Sequence, residues 1–395
     1  VRDDLRLLEV ADLPAAWELT RLAFGTEREP PPGWLTDRPG RTSWGVFAGE
    51  DRLVAKAVDR QQGQWFGGRL VSASGIAGVV VAPELRGTGL ARRVLTRLLA
   101  AARDRGAVIS TMFRTTPVPY RRLGWEEVGG LTWTAVPTAA LAGMNRPAEV
   151  SLRPATSDDV PAVLEAYRAV ARAGTGLMER AGPIVDTSAA AVLGGHDGIT
   201  VAAGTDGAVQ GYASWDRGPG YDAAARLSVP DLIGLTAPAT TALLAMLGSW
   251  ASVAPTVLLR LPEPDPTTYL AALAGARIES HDRWMLRVVD AVRAVAARGW
   301  PPYLDGSMDL LLVDDVCPWN AGPYRLLLAA GTGRLEPGGR GDVAVSARGL
   351  AVLYAGAASP AVLRRAGLLT GGDAVSDAFL QAATAGSVPA LLDYF

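Results

Sequence analysis

The chain has 395 residues, 49% of them hydrophobic, with 38 basic against 40 acidic side chains and a formal net charge of -2. That length exceeds what one core comfortably serves, so two or three domains are expected, and the charge balance excludes a global field that would draw in nucleic acid or an anionic membrane. One cysteine, Cys317, and two histidines, His196 and His281, exclude an internal disulfide and leave no zinc cluster and little material for a serine-histidine triad.

Each histidine is therefore read as structural, and no metal is expected. No apolar run approaches the ~20 residues that span a bilayer, and Val1 to Asp4 hold no apolar signal core, so a soluble protein of a reducing cytoplasm is expected. Lys56 is the only lysine. Beside so many arginines it reads as a by-product of composition.

Leu5 to Glu9 reads as a strand, followed by an amphipathic helix from about Asp12 to Phe24. Asp12 suits the N-cap, and Pro14 falls in the first turn, where its missing N-H costs nothing. The same text returns later: Leu152, Arg153, Asp159, Val160, Pro161 and Ala162 repeat Leu5, Arg6, Asp12, Leu13, Pro14 and Ala15 at one constant offset. A shared offset across a strand start and a helix cap indicates internal duplication. Two hairpins agree with it, Gly45 to Ala55 with a tight turn and Val201 to Tyr212 with an Asp-Gly turn.

Gly75 to Ala82 is a strand ending at Pro83, and a helix rich in Leu, Ala and Arg begins near Leu90. Between them, Arg86-Gly87-Thr88-Gly89 forms a glycine-rich turn. Such a turn leaves backbone N-H groups unpaired at the positive end of a helix dipole, a cradle suited to pyrophosphate. No Gly-Lys-Ser/Thr follows, so it is not a P-loop, and the third glycine of a dinucleotide fingerprint is absent. The second copy reads Leu227 to Thr236 at the matching place, without arginine and with too few glycines, and is expected to fold alike but bind no cofactor. Ala107 to Met112 is the next strand, followed by Pro119-Tyr120-Arg121-Arg122-Leu123-Gly124-Trp125.

Pro137 to Pro147 is short of large apolar residues and reads as a linker. Beyond Val289 a helix near Ala291 to Arg298 leads into short strands at Met308 to Val313, Arg325 to Ala329 and Asp342 to Val345. Helical stretches follow at Ser346 to Gly356, Pro360 to Ala366 and Asp373 to Ala385, an α+β layer. The apolar ending, Tyr394-Phe395, suggests a docked tail.

The spacing Arg-x-x-Gly-x-Ala, directly after Val-x-Val-Ala-Pro, resembles the acetyl-coenzyme A loop of the GNAT acetyltransferases. The whole length resembles their Eis-type branch, including Arg283 to Asp290, the following Ala-Val-Arg-Ala-Val-Ala-Ala-Arg-Gly-Trp, and a terminal phenylalanine. The resemblance implies an α+β chain of tandem GNAT folds, active over 1–145 and degenerate over 146–290, with a sterol-carrier-protein-like domain over 291–395. It implies an acetyl-coenzyme A-dependent N-acetyltransferase acting on a small-molecule primary amine, and a homo-oligomer, hexameric in the family. Val79, Val80 and Val81 would meet the acetyl carbonyl and pantetheine arm. Arg86, Gly87, Thr88, Gly89, Leu90 and Thr115 would hold the rest of the cofactor. Tyr120 would protonate the departing thiolate, and the terminal carboxylate of Phe395 would serve as base. Thr26, Trp34, Phe113, Asp282 and Tyr394 would line the acceptor pocket.

Thr26 and Tyr394 stand where family members acting on multi-amine substrates carry acids, which draws attention from aminoglycosides toward peptide, amino-acid or secondary-metabolite amines. A reading of another class is a non-catalytic acyl-coenzyme A or lipid-binding protein.

Overall fold

In a computed structural model of the chain, residues 4–49, 51–262 and 264–395 are described. Val1 to Asp3, Glu50 and Glu263 lie outside them. A strand β1 (Asp4–Leu7) leads to helix α1 (Leu13–Phe24), then to β2 (Arg41–Ala48), β3 (Arg52–Phe66) and β4 (Arg69–Val81). Helix α2 (Leu90–Asp104), β5 (Ile109–Phe113), the short α3 (Val118–Arg121) and β6 (Glu126–Pro137) complete the first half. The second half repeats the order with β7 (Ser151–Pro154), α4 (Val160–Ala173), α5 (Ala189–Gly194), β8 (Gly198–Ala203), β9 (Val209–Arg217) and β10 (Arg226–Gly234). It closes with α6 (Ala237–Gly248), β11 (Thr256–Arg260), α7 (Thr267–Leu270) and β12 (Arg277–Val288).

The duplication read from the text is visible in the hydrogen bonds. Arg6 donates to Asp12 at 2.6 and 2.9 Å, and Arg153 to Asp159 at 2.6 and 2.8 Å. In both copies the same carboxylate also accepts the backbone N-H three residues earlier at 2.8 Å, from Glu9 and from Thr156. One charged pair thus fastens each strand exit to its helix entry.

The halves do not close on themselves. All twelve strands form one sheet in the order β1-β2-β3-β4-β5-β12-β6-β11-β10-β9-β8-β7. The last strand of the second half lies beside β5, with Trp284 opposite Phe113, and the last strand of the first half lies beside β11, with Val257 opposite Val136. Each half therefore completes its sheet with the other's final strand. Antiparallel pairing accepts either edge of like hydrophobic pattern, so nothing local in the sequence distinguishes exchange from self-closure.

The third layer has α8 (Ala291–Ala297), a sheet of β13 (Gly306–Val313), β14 (Gly322–Ala329), β15 (Thr332–Pro337), β16 (Val343–Ser346) and β17 (Leu369–Gly371), and helices α9 (Ala347–Ala355), α10 (Pro360–Arg365) and α11 (Ala374–Ala383). It shares a continuous apolar core with β3, β5 and β12 through Phe66, Ile109, Trp284 and Leu286. The fully buried Arg287 of β12 donates twice to Asp314, at 2.8 and 2.9 Å, and pins the layer to the sheet. Among the described residues no helix is long and apolar enough to cross a membrane.

Candidate functional site

Two structural features open a cleft in the first half. Strand β4 runs parallel to β5 only over Ala73 to Gly75, opposite Ile109 to Thr111, yet continues to Val81. Beyond Gly75 its edge toward β5 has no partner strand among the described residues. On its other edge the ladder with β3 slips between Lys56 and Val58, leaving Gly78 and Val79 opposite Ala57 as a bulge, with Gly78 at φ +53°. The bulge and the free edge together expose the backbone around Val79, Val80 and Val81.

Helix α2 begins at the end of this strand. Gly87 and Gly89 take φ +81° and +90°, left-handed values that most side chains avoid, and no atom stands within 4 Å of where a Cβ would project. Gly89 is the N-cap and supplies no side-chain cap. Among the described residues the amides of Gly87, Gly89 and Leu90 have no hydrogen-bond acceptor. Thr88 turns its hydroxyl back to the Leu85 carbonyl at 2.6 Å, and Arg86 is exposed beside it. An open, donor-rich helix start beside a splayed strand pair fits the diphosphate and extended arm of a coenzyme A.

The second half is built differently at the same place. Thr236 caps α6 by accepting from the Ala239 amide at 3.2 Å, and a Cβ on Gly234 would meet Thr240 Oγ1 at 1.9 Å. Gly234 also lacks the left-handed backbone of Gly87 and Gly89, and the open depression beside this turn is lined by the acid Asp265 and by no cation, a poor setting for a diphosphate.

Tyr120 on α3 is buried in the same core as Val79, Val80, Val81, Leu90 and Trp34, edge-on to Trp125 at 6.4 Å. Burial pushes its phenol up to about 12. A second group forms around the chain end. Phe113, at the end of β5, stacks on Tyr394 at 4.3 Å and meets the Phe395 ring at 5.3 Å. Asp282 lies on β12 two residues before Trp284, close enough for its charge to help burial raise the Tyr394 phenol. Thr115 is exposed just past β5. Thr26 is exposed beyond the C-cap Gly25, and among the described residues no hydrogen bond, ion pair or ring contact joins it to the others.

The tail reaches this place under tight control. Ala390 N-H donates to Thr175 at 3.0 Å, Leu391 N-H to Gly130 at 3.0 Å, and Arg260 donates to the Leu392 carbonyl at 2.8 Å. Asp393 accepts from Tyr167 at 2.9 Å and from Arg180 at 3.0 Å, and Arg180 also grips Asp231 at 2.6 and 2.8 Å. Burial works against the charge of Asp231, but the guanidinium more than offsets it and holds the carboxyl below its usual range. The second half thereby anchors the segment that carries Phe395 into the first.

Sequence reasoning missed this network, because its members are 51 and 213 residues apart in the chain. It also missed Lys56. That residue is only 2% exposed, lies opposite Val80 and reaches the Gly78 carbonyl of the bulge at 3.4 Å. Burial and the nearby Arg38 lower its ammonium to about 8. A lysine spaced evenly with Val58 and Arg60 on one strand was the signal available. His196 binds Asp216 at 3.0 Å and His281 binds Thr132 at 2.8 Å, both apart from the cleft. Among the described residues no acid, histidine and cysteine cluster could hold a metal.

Profiles of known families match three stretches. Residues 4–128 and 176–288 each match an acetyltransferase (GNAT) domain, and 291–391 match a sterol carrier protein domain. The chain is 34% identical to a GCN5-related N-acetyltransferase from Kribbella flavida, covering 100% of this chain and 99% of that one, with a TM-score of 0.85. It shares the fold of Eis1 from Mycobacterium abscessus at 20% identity, covering 100% of both chains, with a TM-score of 0.78. An uncharacterised N-acetyltransferase of Streptomyces coelicolor is 27% identical over 314 residues, 76% of this chain and 75% of that protein.

Proposed function

The chain belongs to the GCN5-related N-acetyltransferase family, in the Eis-like layout of two GNAT domains and a sterol carrier protein domain, and on that premise we propose that it transfers acetyl from acetyl-coenzyme A directly to a primary amine of a small molecule. The observation that carries this reading is the contrast between the two helix starts. Helix α2 opens on uncapped left-handed glycines beside an unpaired strand edge, whereas α6 opens on a turn capped by Thr236, without left-handed glycines and beside the acid Asp265. We place the domain divisions at 1–145, 146–290 and 291–395, with β6 and β12 exchanged between the first two.

When bound, acetyl-coenzyme A supplies an acetyl group activated as a thioester. Arg86, Gly87, Thr88, Gly89 and Leu90 would hold its diphosphate, Thr115 would contact the arm, and Val79, Val80 and Val81 would offer main-chain groups to the acyl carbonyl. Tyr120 keeps its proton at neutral pH. A phenol pushed to about 12 is a weaker acid than a thiol near ~8.5, so full transfer to sulfur is unfavourable. Tyr120 instead stabilises the charge growing on sulfur by donating a hydrogen bond. The carboxylate of Phe395, delivered by the anchored tail, would accept the proton of the amine. Burial raises a carboxyl's pKa and lowers an ammonium's, which narrows the gap between them.

A lipid-carrying role has less support. The apolar pocket of the third domain, lined by Val295, Trp300, Leu326 and Tyr354, holds about 40 Å³ of free space. That volume admits a water, not an acyl chain.

Release of free thiol from acetyl-coenzyme A, measured across aminoglycosides, polyamines, lysine peptides, amino acids and aryl amines, tests the proposal. At least one amine should raise it well above the rate in water, and one glycine added after Phe395 should suppress it. A panel on which no amine is acetylated would refute the reading.

A further inference from the structure

Beside the β4 bulge lies a cavity that the cofactor cradle does not share. Its walls come from α1, the segment from Trp34 to Arg38, and the β2 and β3 residues Arg41, Ser43, Lys56 and Val58. Strand register sets the positive charge on one face. Arg41 lies directly opposite Arg60, Ser43 opposite Val58, and Gly45 opposite Lys56, so Arg41, Lys56 and Arg60 project to the same side. Arg38 lies close enough to all three to act on them by charge, and its guanidinium stands 5.7 Å from the Trp34 ring.

These cations are uncompensated. Among the described residues none of Arg38, Arg41, Lys56 or Arg60 has a carboxylate within ion-pair distance, although most other arginines of the chain are paired. Two acids line the cavity, Glu9 and Asp37, but both are exposed and bridge to none of the four. The Nε of Arg60 is buried with no acceptor, and Lys56 has only the carbonyl at 3.4 Å. Burial and mutual repulsion lower Arg60 to about 10. The arrangement is nevertheless fixed. Gly40 accepts the Gln61 N-H at 2.7 Å and packs so closely on Pro183 and Ile184 of the second half that a Cβ would stand 2.7 Å from Pro183.

A fold that gathers three cations, Arg38, Arg41 and Lys56, at a cavity, sets Arg60 beside Arg41, and gives none of them an ion-pair partner leaves that task to a ligand. We infer that this cavity is the acceptor site and that the acceptor carries an anionic group, a carboxylate or a phosphate, held by Arg38 and Arg41, with Arg60 adding its charge from beside Arg41, while its amine is presented at the bulge beside Lys56. The inference rests on the acyl-transfer reading for the word acceptor; the anion site stands on its own observations. It separates this chain from an enzyme for polycationic substrates, which such a wall would repel.

Two measurements test it. Calorimetric titration with inorganic phosphate and with a short dicarboxylate, without acetyl-coenzyme A, reads the anion site alone. Wild-type protein should bind at least one of them, and Arg41→Gln, which relieves repulsion and so should fold normally, should weaken that binding tenfold or more. No binding by the wild type, or equal binding by the variant, overturns the inference. Kinetics then compare aminoalkyl carboxylates, aminoalkyl phosphates and plain alkylamines of matched length. The kcat/KM ratio of the better anionic series over the plain amines should exceed tenfold and collapse in Arg41→Gln, and the better series identifies the anion. A ratio near one overturns the inference. Titration with acetyl-coenzyme A reads the other cradle separately, so loss of cofactor binding with intact anion binding counts against the acyl-transfer reading and not against this site.

Discussion

Replacing Asp393 with alanine should detach the tail without unfolding the protein. Leu391, Leu392 and Phe395 are 1%, 2% and 7% exposed, and burying each contributes about 1.5–3 kcal/mol. Ordering residues 389–395 costs about 1–2 kcal/mol apiece in backbone entropy. Burial, about 4.5–9 kcal/mol, falls short of the ordering cost, about 7–14 kcal/mol, by about 2.5–5 kcal/mol, so hydrogen bonds decide whether the tail docks. Asp393 supplies two of them, one to the Arg180 guanidinium and one to Tyr167, together worth about 3 kcal/mol when one partner is charged. Their loss should shift the docking equilibrium on the order of 100-fold. Hydrogen exchange of the peptide spanning 389–395, read by mass spectrometry, should rise strongly, and acetyl transfer should fall while acetyl-coenzyme A affinity stays. Protection and turnover equal to wild type would refute the idea that this ionic anchor positions the chain end.

Tyr120→Phe should lower turnover roughly 10²–10³-fold with cofactor affinity nearly intact, as expected for loss of one donor to developing charge. With the phenol at about 12, the wild-type pH-rate profile should show no alkaline loss attributable to Tyr120 below about pH 11. Lys56 has its folded pKa depressed to about 8 from 10.5, so its contribution to stability is present above 10.5 and lost as pH falls through 8, a penalty of about 3 kcal/mol at pH 7. Lys56→Met should therefore melt higher than wild type at pH 7, and the wild type should close the gap between pH 8 and 10; parallel melting curves would contradict this. Residues 1–145 expressed alone should fail to form a soluble fold, because β5 and β6 lose β12 between them, and co-expression with 146–395 should rescue solubility.

What could be read from the sequence was what is local. The repeated text around Asp12 and Asp159, the turn at Gly87 and Gly89, and α2 beginning at Leu90 each depend on residues a few positions apart, where turn chemistry leaves a signature; Asp12, expected as the N-cap, instead turns its carboxylate back to Arg6 and the Glu9 amide and makes no side-chain cap to α1. The exchange of β6 and β12 was not legible, since the same alternation satisfies two different neighbours. Strand β15 was passed over because Thr332 to Pro337 buries only Gly333 and Leu335, too weak an apolar period to register. The cationic wall escaped notice for a different reason. Arg38, Arg41, Lys56 and Arg60 are unremarkable singly in an arginine-rich chain, and only the register that sets Arg41 beside Arg60 reveals that they gather without an ion-pair partner.

The central claim is that a single open cradle, the one preceding α2, binds acetyl-coenzyme A. Gly89→Asp and Gly89→Asn test it as a pair. Both side chains tolerate the left-handed backbone and can cap the helix, and both find open space where the glycine has none to fill, but only aspartate sets a negative charge against the diphosphate. Calorimetric titration of the wild type should show one acetyl-coenzyme A per chain, with affinity falling at least tenfold further in Gly89→Asp than in Gly89→Asn. Two molecules bound per chain, or equal affinity in the aspartate and asparagine variants, would contradict the account.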